Sequence, residues 1–253
     1  MASNSFFFII SKKIYFLRKI YLWYNVYIRN FKYHFIDSHK NSQFGEEKHV
    51  LKHFNKHFKG KFLDIGCFHP TRNNNTYKMY KKGWRGINID LNPLSIDLFN
   101  LARPNDINIC AAISNKEKKV DLFFIGDLDT KNTIEKNHTK FLNKSFLIDN
   151  HQIKKTQIKT SKLDKILVKY NFFNIDFMNL DVEGHELNIL KNFNFKRFKI
   201  KVICVEMIDH NKLSKSNNIE MFKILKKNGY ILKDKVSVNH IFKLKENLQT
   251  KPY

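Results

Sequence analysis

Four short apolar runs, each closing on an acid, dominate what this chain can fold into. They are KFLDIG at 61–66, GINID at 86–90, FMNLDV at 177–182 and KVICVEM at 201–207. Runs of this length, rich in Ile, Val and Phe and bounded by turn residues, read as buried strands. Between them lie helical stretches. Tyr77, Met79 and Tyr80 follow a cap candidate at Asn75 or Thr76, with Gly83 placed to end that helix. Asn92 is a second cap candidate with Pro93 at the first helical position, and Leu94, Leu98 and Leu101 share one face. INICAAI at 107–113 reads as a third strand, VDLFFI at 120–125 as another, and YILKD and NHIFKL as the last two. A helix spans about Leu163 to Tyr170, and another lies near 219–228. Strand and helix in alternation imply right-handed βαβ units and a mainly parallel sheet. Ligands of such sheets sit at the carboxyl ends of the strands, where Asp64, Asp90, Asp181 and Glu206 fall.

The glycines exclude several chemistries. No two of the eight are spaced G-x-G, so no dinucleotide fingerprint exists, and neither a phosphate-binding P-loop nor a G-x-S-x-G elbow is present. The three cysteines are far apart, which excludes a disulfide framework and a zinc knuckle and suits buried thiols on separate strands. Lys and Arg number 46 against 23 Asp and Glu, a net charge of +23. That excess suggests a polyanion. However, it is spread along the chain, and Lys far outnumbers Arg, as compositional drift in an AT-rich genome would produce.

Residues 1–45 form a basic aromatic segment ahead of a domain at 46–253. The segment has no apolar run of the roughly 20 residues that a spanning helix needs. It lacks the order of a signal peptide as well. Two readings stand. In one, it is an interfacial helix with Lys12, Lys13, Arg18 and Lys19 toward lipid headgroups and Ile14, Leu17, Tyr21 and Tyr24 toward the acyl boundary. In the other, it packs on the domain or on a second subunit. The first reading expects a chain beginning near Gly45 to become freely soluble and keep its cofactor affinity. Gly126 to Asn150 reads as a mobile insert that sets specificity.

Asp64 and Gly66 at the end of one strand, and Asp90 at the end of the next, suit one nucleoside. Gly66 allows close backbone approach, and Asp90 is placed to accept from ribose hydroxyls. Without G-x-G there is no place for a pyrophosphate, and S-adenosylmethionine meets that description. For each Asp taken alone, a strand-end helix cap is the competing reading.

DIGCFHP at 64–70, NNTY at 74–77, GWRGINID at 83–90 and LDVEGHE at 180–186, in that order, resemble the FkbM family of methyltransferases over roughly residues 60–244. The resemblance implies a class I Rossmann-like fold, a seven-stranded, mainly parallel sheet flanked by helices with its last strand antiparallel. It implies S-adenosylmethionine as cofactor, held by Asp64, Gly66 and Asp90 with Ala111 near adenine. It also implies methylation of oxygen on a saccharide or glycolipid acceptor. Where the family often carries Asp soon after strand three, this chain has Ser114-Asn115, and neither is assigned a cofactor role.

LDVEGHE supplies the catalytic candidates. Asp181 lies at a strand tip near the methionine amino group or the acceptor, and His185 is a candidate base for a hydroxyl. Glu183 is either a third participant or, with Glu186, a favourable charge in a helix's first turn. Asp181, Glu206 and Asp209 offer hard oxygens to Mg²⁺, although solvent-facing acids would look the same. A nucleic-acid methyltransferase is disfavoured, because no Pro-Pro follows Asn179-Leu180-Asp181. A non-catalytic module that binds lipid or glycan is the remaining rival. The expected location is cytoplasmic, with peripheral contact to an anionic membrane.

Overall fold

The structure is a computed structural model and describes residues 15–35, 41–126, 129–130, 132–136, 153–209 and 212–245. Lys12, Lys13, Ile14 and most of the 126–150 insert lie outside the described residues.

Seven strands form the central sheet: β1 Lys61–Ile65, β2 Arg85–Asp90, β3 Ile107–Cys110, β7 Asn174–Leu180, β8 Lys199–Glu206, β9 Tyr230–Val236 and β10 Asn239–Leu244. Their order is β3-β2-β1-β7-β8-β10-β9, parallel except for β10, which runs antiparallel to β8 and β9. This is the expected class I methyltransferase sheet. The chain winds outward from β1 in one direction and from β7 in the other. That is the reversal beside which open α/β sheets bind ligands.

Apolar side chains lie on both faces of these strands, so neighbours along a strand enter opposite cores. Leu63, Met178, Ile203, Val205 and Phe242 join one core with α6 Leu163–Lys169, α7 Glu186–Asn192 and α8 Lys212–Lys227. Phe62, Phe177, Val202, Cys204 and Ile241 join the other with Val50 of α3 Glu46–Leu51, with Met79 of α4 Tyr77–Lys81 and with Trp84 just before β2. α5 Pro93–Ala102 begins as expected: the Asn92 side chain accepts from Leu94 N at 3.0 Å, and Pro93 needs no partner at the first position.

Several expectations require correction. The third strand is broken at Ala111 into β3 and a short β4, Ala112–Ile113. β4 leaves the main sheet to pair with β6, Lys154–Ser161, which in turn pairs antiparallel with β5, Lys119–Phe124. Strand β6 has no counterpart in the sequence reading. α8 begins at Lys212 instead of near 219. Cys67 lies in the loop after β1 and Cys110 is exposed, so only Cys204 is a buried strand thiol.

The N-terminal helix α1, Tyr15–Trp23, runs into a π-turn at Tyr24–Ile28 and a short α2, Phe31–Phe35. Leu22 and Val26 pack on Leu94 and Leu98 of α5, and Arg18 pairs with Asp97. Arg18 and Tyr21 therefore face α5, where headgroups and the acyl boundary were the expectation, and Leu17 is half-buried. The segment also reaches the loop after β1. Asn30 Nδ2 lies 3.3 Å from His69 Nε2, Asn41 Nδ2 donates to Thr71 O at 3.0 Å, and Asn74 N donates to Asn41 O at 2.9 Å. A chain beginning near Gly45 would lose all of these contacts, so the segment is tied to the loop that the cofactor was expected to use.

Candidate active site

The carboxyl ends of β1, β2, β7 and β8 open into a cavity of about 400 Å³. Small-molecule sites occupy roughly 300–1,000 Å³. Gly66, Asp90, Ala111, Asp181, Glu183, His185 and Glu206 all line it. The sequence-assigned residues thus come together, although not all in the roles expected.

Asp90, the last residue of β2, is held by two backbone donors, Phe68 N to Oδ2 and Asn92 N to Oδ1, each at 2.8 Å. These bonds fix the carboxylate while leaving lone pairs toward the cavity. Removal from water, opposed by the two N–H groups, pushes its pKa up to about 6. Ala111 sits at the break between β3 and β4, its N–H on Asp90 O at 2.9 Å. The third-strand break thus places a small side chain at the cavity wall.

Asp64 is fully buried and occupied. Thr76 Oγ1 and Asn74 Nδ2 donate to Oδ2 at 2.8 and 3.2 Å, and Asn179 Nδ2 donates to Oδ1 at 2.9 Å. Arg103, also fully buried, donates to Thr76 Oγ1, Asn74 Oδ1 and Pro70 O at 2.8, 2.6 and 2.9 Å. Burial raises the Asp64 pKa, while these donors and the Arg103 charge lower it. Asp64 therefore shapes the loop from beneath and does not present a free carboxylate. Its partners Asn74 and Thr76 come from the NNTY segment, so the signal was present, but their target was not readable.

Gly66 is constrained by the protein's own backbone. It has φ +81°, and a Cβ there would lie 1.6 Å from Asp181 O. The close approach inferred from sequence is real, but the approaching group is the turn after β7.

That turn holds the acids. Glu183 has φ +54° and Gly184 φ +100°, both outside α7. Glu183 is thus not a first-turn helix residue. Glu186 is, and its Oε1 accepts from Val182 N and Gly184 N at 2.8 and 3.1 Å, closing the turn. Carboxylate oxygens of Asp181, Glu186 and Glu206 lie within 4.8 Å of one another and could hold a hard cation. Glu186 stands where the sequence reading put Asp209. Burial first, then the neighbouring carboxylates, pushes Asp181 and Glu206 well above the ordinary carboxylate range. A cationic ligand would relieve this crowding.

His185 is buried at the cavity wall. Its Nδ1 makes a short hydrogen bond to Glu135, while Nε2 has no hydrogen-bond partner. Glu135 belongs to the insert and was not anticipated. The start of the insert is anchored twice: Thr133 pairs with Phe123 of β5, and Thr133 Oγ1 donates to Glu183 O at 2.9 Å. Asn132 and Ile134 thereby join the cavity wall.

Residues 64–232 match the family model described as the methyltransferase FkbM domain. No curated protein matches the chain. Among solved structures, it is similar to a precorrin-6y C5,15-methyltransferase from Geobacter metallireducens, with 12% identity and a TM-score of 0.42, covering 86% of this chain and 97% of that one. It is also similar to a Burkholderia thailandensis 1,6-didemethyltoxoflavin-N1-methyltransferase bound to S-adenosylhomocysteine (8% identity, TM-score 0.39, 89% and 87% covered). A Methanococcus jannaschii fibrillarin pre-rRNA processing protein matches at 16% identity and TM-score 0.38, covering 74% of this chain and 66% of that one.

Proposed function

The chain belongs to the FkbM-domain methyltransferases and is an S-adenosylmethionine-dependent methyltransferase; from that premise we propose that it methylates a saccharide hydroxyl, free or carried on a glycolipid. The pairing of His185 with Glu135 at the cavity wall carries this reading. A hydroxyl is a weak nucleophile until its proton is taken. An imidazole whose Nδ1 is held by a carboxylate and whose Nε2 is unpartnered is built to take one.

The residues present fit the cofactor. Asp90 would accept from the ribose hydroxyls, and Gly66 and Ala111 would form the wall beside the nucleoside. Asp181 would face the ammonium group, with Asp64 holding the loop beneath. When bound, S-adenosylmethionine supplies a methyl carbon on a sulfonium, open to in-line displacement. His185 takes the acceptor's proton at Nε2, and Glu135 stabilises the resulting imidazolium. Glu206, beside Asp181, would add a second carboxylate to oppose the cofactor's positive charge. Glu183, in its strained turn, shapes the acceptor side.

The wall suits a sugar. Asn73, Asn75, Asn132, Thr130 and Gln43 offer neutral donors and acceptors, and Phe44 and Phe68 offer flat apolar faces. Among the described lining residues there is no Lys or Arg, which disfavours a phosphate-bearing acceptor. The test is transfer of labelled methyl from S-adenosylmethionine to neutral oligosaccharides, with RNA in parallel, and product analysis for a methyl ether. Label on RNA, or on nitrogen, would refute the saccharide reading.

Cofactor affinity should depend on pH through Asp90. The ionised carboxylate accepts both ribose hydroxyls, so affinity falls as pH drops through about 6. In the free protein the sign is opposite. A raised folded-state pKa means the native state holds the proton more tightly, so this group's ionisation costs stability as pH rises from its unfolded value toward about 6. Asp90→Asn should weaken binding by about 1–3 kcal/mol and flatten the pH dependence, measured by calorimetry between roughly pH 5 and 8. Equal affinity and an unchanged profile would place the ribose elsewhere.

A further inference from the structure

The two faces of α1 and its π-turn meet different surroundings. Leu22, Asn25 and Val26 are buried against the domain. The opposite face carries Phe16, Ile20, Trp23, Tyr24 and Ile28, continued by Phe31, with Phe16 68% and Trp23 51% exposed. Their spacing keeps them on one stripe. A contiguous apolar stripe on an otherwise soluble surface marks an interaction site. Trp and Tyr are the side chains favoured where lipid meets water.

The described charges carried by the stripe's own segment are basic, and Asp97, on the domain beside it, is already paired with Arg18. Residues 15–35 contain no acid. Lys19, Arg29 and Lys32 are exposed beside the aromatic residues. Arg72, from the loop after β1, is close enough to Arg29 for that charge, after burial, to oppose its own. Its guanidinium lies over the Phe68 ring at 5.0 Å, and its Nε is buried with no hydrogen-bond partner. A second copy of the chain, docked by the same face, would set these cations against themselves.

We propose that the stripe of Phe16, Ile20, Trp23, Tyr24, Ile28 and Phe31, rimmed by Lys19, Arg29, Lys32 and Arg72, docks on an anionic lipid bilayer. The aromatic side chains enter the headgroup boundary and the basic rim meets lipid phosphates, while Leu22 and Val26 keep the helix on the domain. The reading is independent of the acceptor.

The test uses the full chain and vesicles of phosphatidylcholine, with or without phosphatidylglycerol. The protein should sediment with the anionic vesicles and not with the neutral ones, and added salt should release it. Trp23 emission should shift to the blue on binding, a change absent from Trp23→Phe because Trp84 is already buried. The double variant Ile20→Ser/Trp23→Ser should bind roughly tenfold more weakly or worse, with an unchanged melting temperature. Arg29→Gln and Arg72→Gln should each weaken anionic binding about fivefold. Indifference to anionic vesicles would overturn the proposal, as would full binding by the Ile20→Ser/Trp23→Ser variant. So would a dimer in light scattering that this variant abolishes without any vesicle binding, since the face would then belong to a second copy.

Discussion

Replacing His185 by glutamine should lower methyl-transfer turnover about 10²–10⁴-fold, the usual contribution of a positioned base, while cofactor affinity stays nearly constant. Glutamine keeps a polar group of similar reach but cannot accept and hold the proton. His185 is buried with Nδ1 committed to Glu135 and Nε2 unpartnered. Its loss therefore removes a proton acceptor more than a packing contact. The deficit should shrink as pH rises and solvent takes over deprotonation. Glu135→Gln should give a smaller loss in the same direction, because the imidazole remains but its cationic form loses its counter-charge. Turnover, melting temperature and cofactor titration on the same preparations decide the matter. A His185→Gln enzyme with wild-type turnover, or one whose activity falls only in step with its melting temperature, would remove the base from the mechanism.

Arg103→Leu should cost about 3–5 kcal/mol of stability, the usual result of removing one partner from a buried charge network. Its guanidinium donates to Pro70 O, Asn74 and Thr76, and those same side chains donate to Asp64. It also lies over the rings of Phe99, Tyr77 and Tyr80 at 4.9–5.3 Å. Lysine should rescue little, since one ammonium cannot reproduce the planar fork. Without the cation, Asp64 would be buried with its charge opposed only by neutral donors, and its folded-state pKa would rise further. The variant should therefore regain ground on wild type as pH falls and Asp64 takes up a proton. Denaturant unfolding at two pH values tests this. A loss below about 1 kcal/mol, or one that does not depend on pH, would show that the network carries little.

The parts of the fold legible in the sequence are those where burial on both faces imposes a continuous apolar run. Strands β1, β2, β7 and β8 are of this kind, and their terminal acids were readable as a shared rim. Strand β6 reads KKTQIKTS, mostly exposed and lying outside the main sheet. Polar side chains on a solvent-facing strand leave no alternation to detect. The start of α8 was missed for the same reason, since KLSKSNN presents almost no apolar face. The positions of Asp90 and Asp181 at the cavity were readable because strand ends announce them. Glu135 was not, because only the folded insert carries it to His185, and no spacing in the chain encodes a contact 50 residues away. Asp64 was located at the cavity, but its internal partners were not readable. Whether a strand-end carboxylate points to a ligand or into a lattice of its own amides depends on Asn74, Thr76 and Asn179 arriving together.

The antiparallel strand β10 carries a consequence for how the chain is made. It lies between β8 and β9, so a strand synthesised after both of them enters between them and not at the edge of the sheet. As the chain leaves the ribosome, β8 presents Val202, Ile203, Cys204 and Val205 along an unpaired border until Asn239–Leu244 emerges. β9 has no place in the sheet before then, because among the described residues its only ladder is to β10. Exposed strand borders of this kind recruit other strands. The interval between β8 and β10 is therefore when a nascent copy is most open to mispairing, and closure by β10 is the step that ends it.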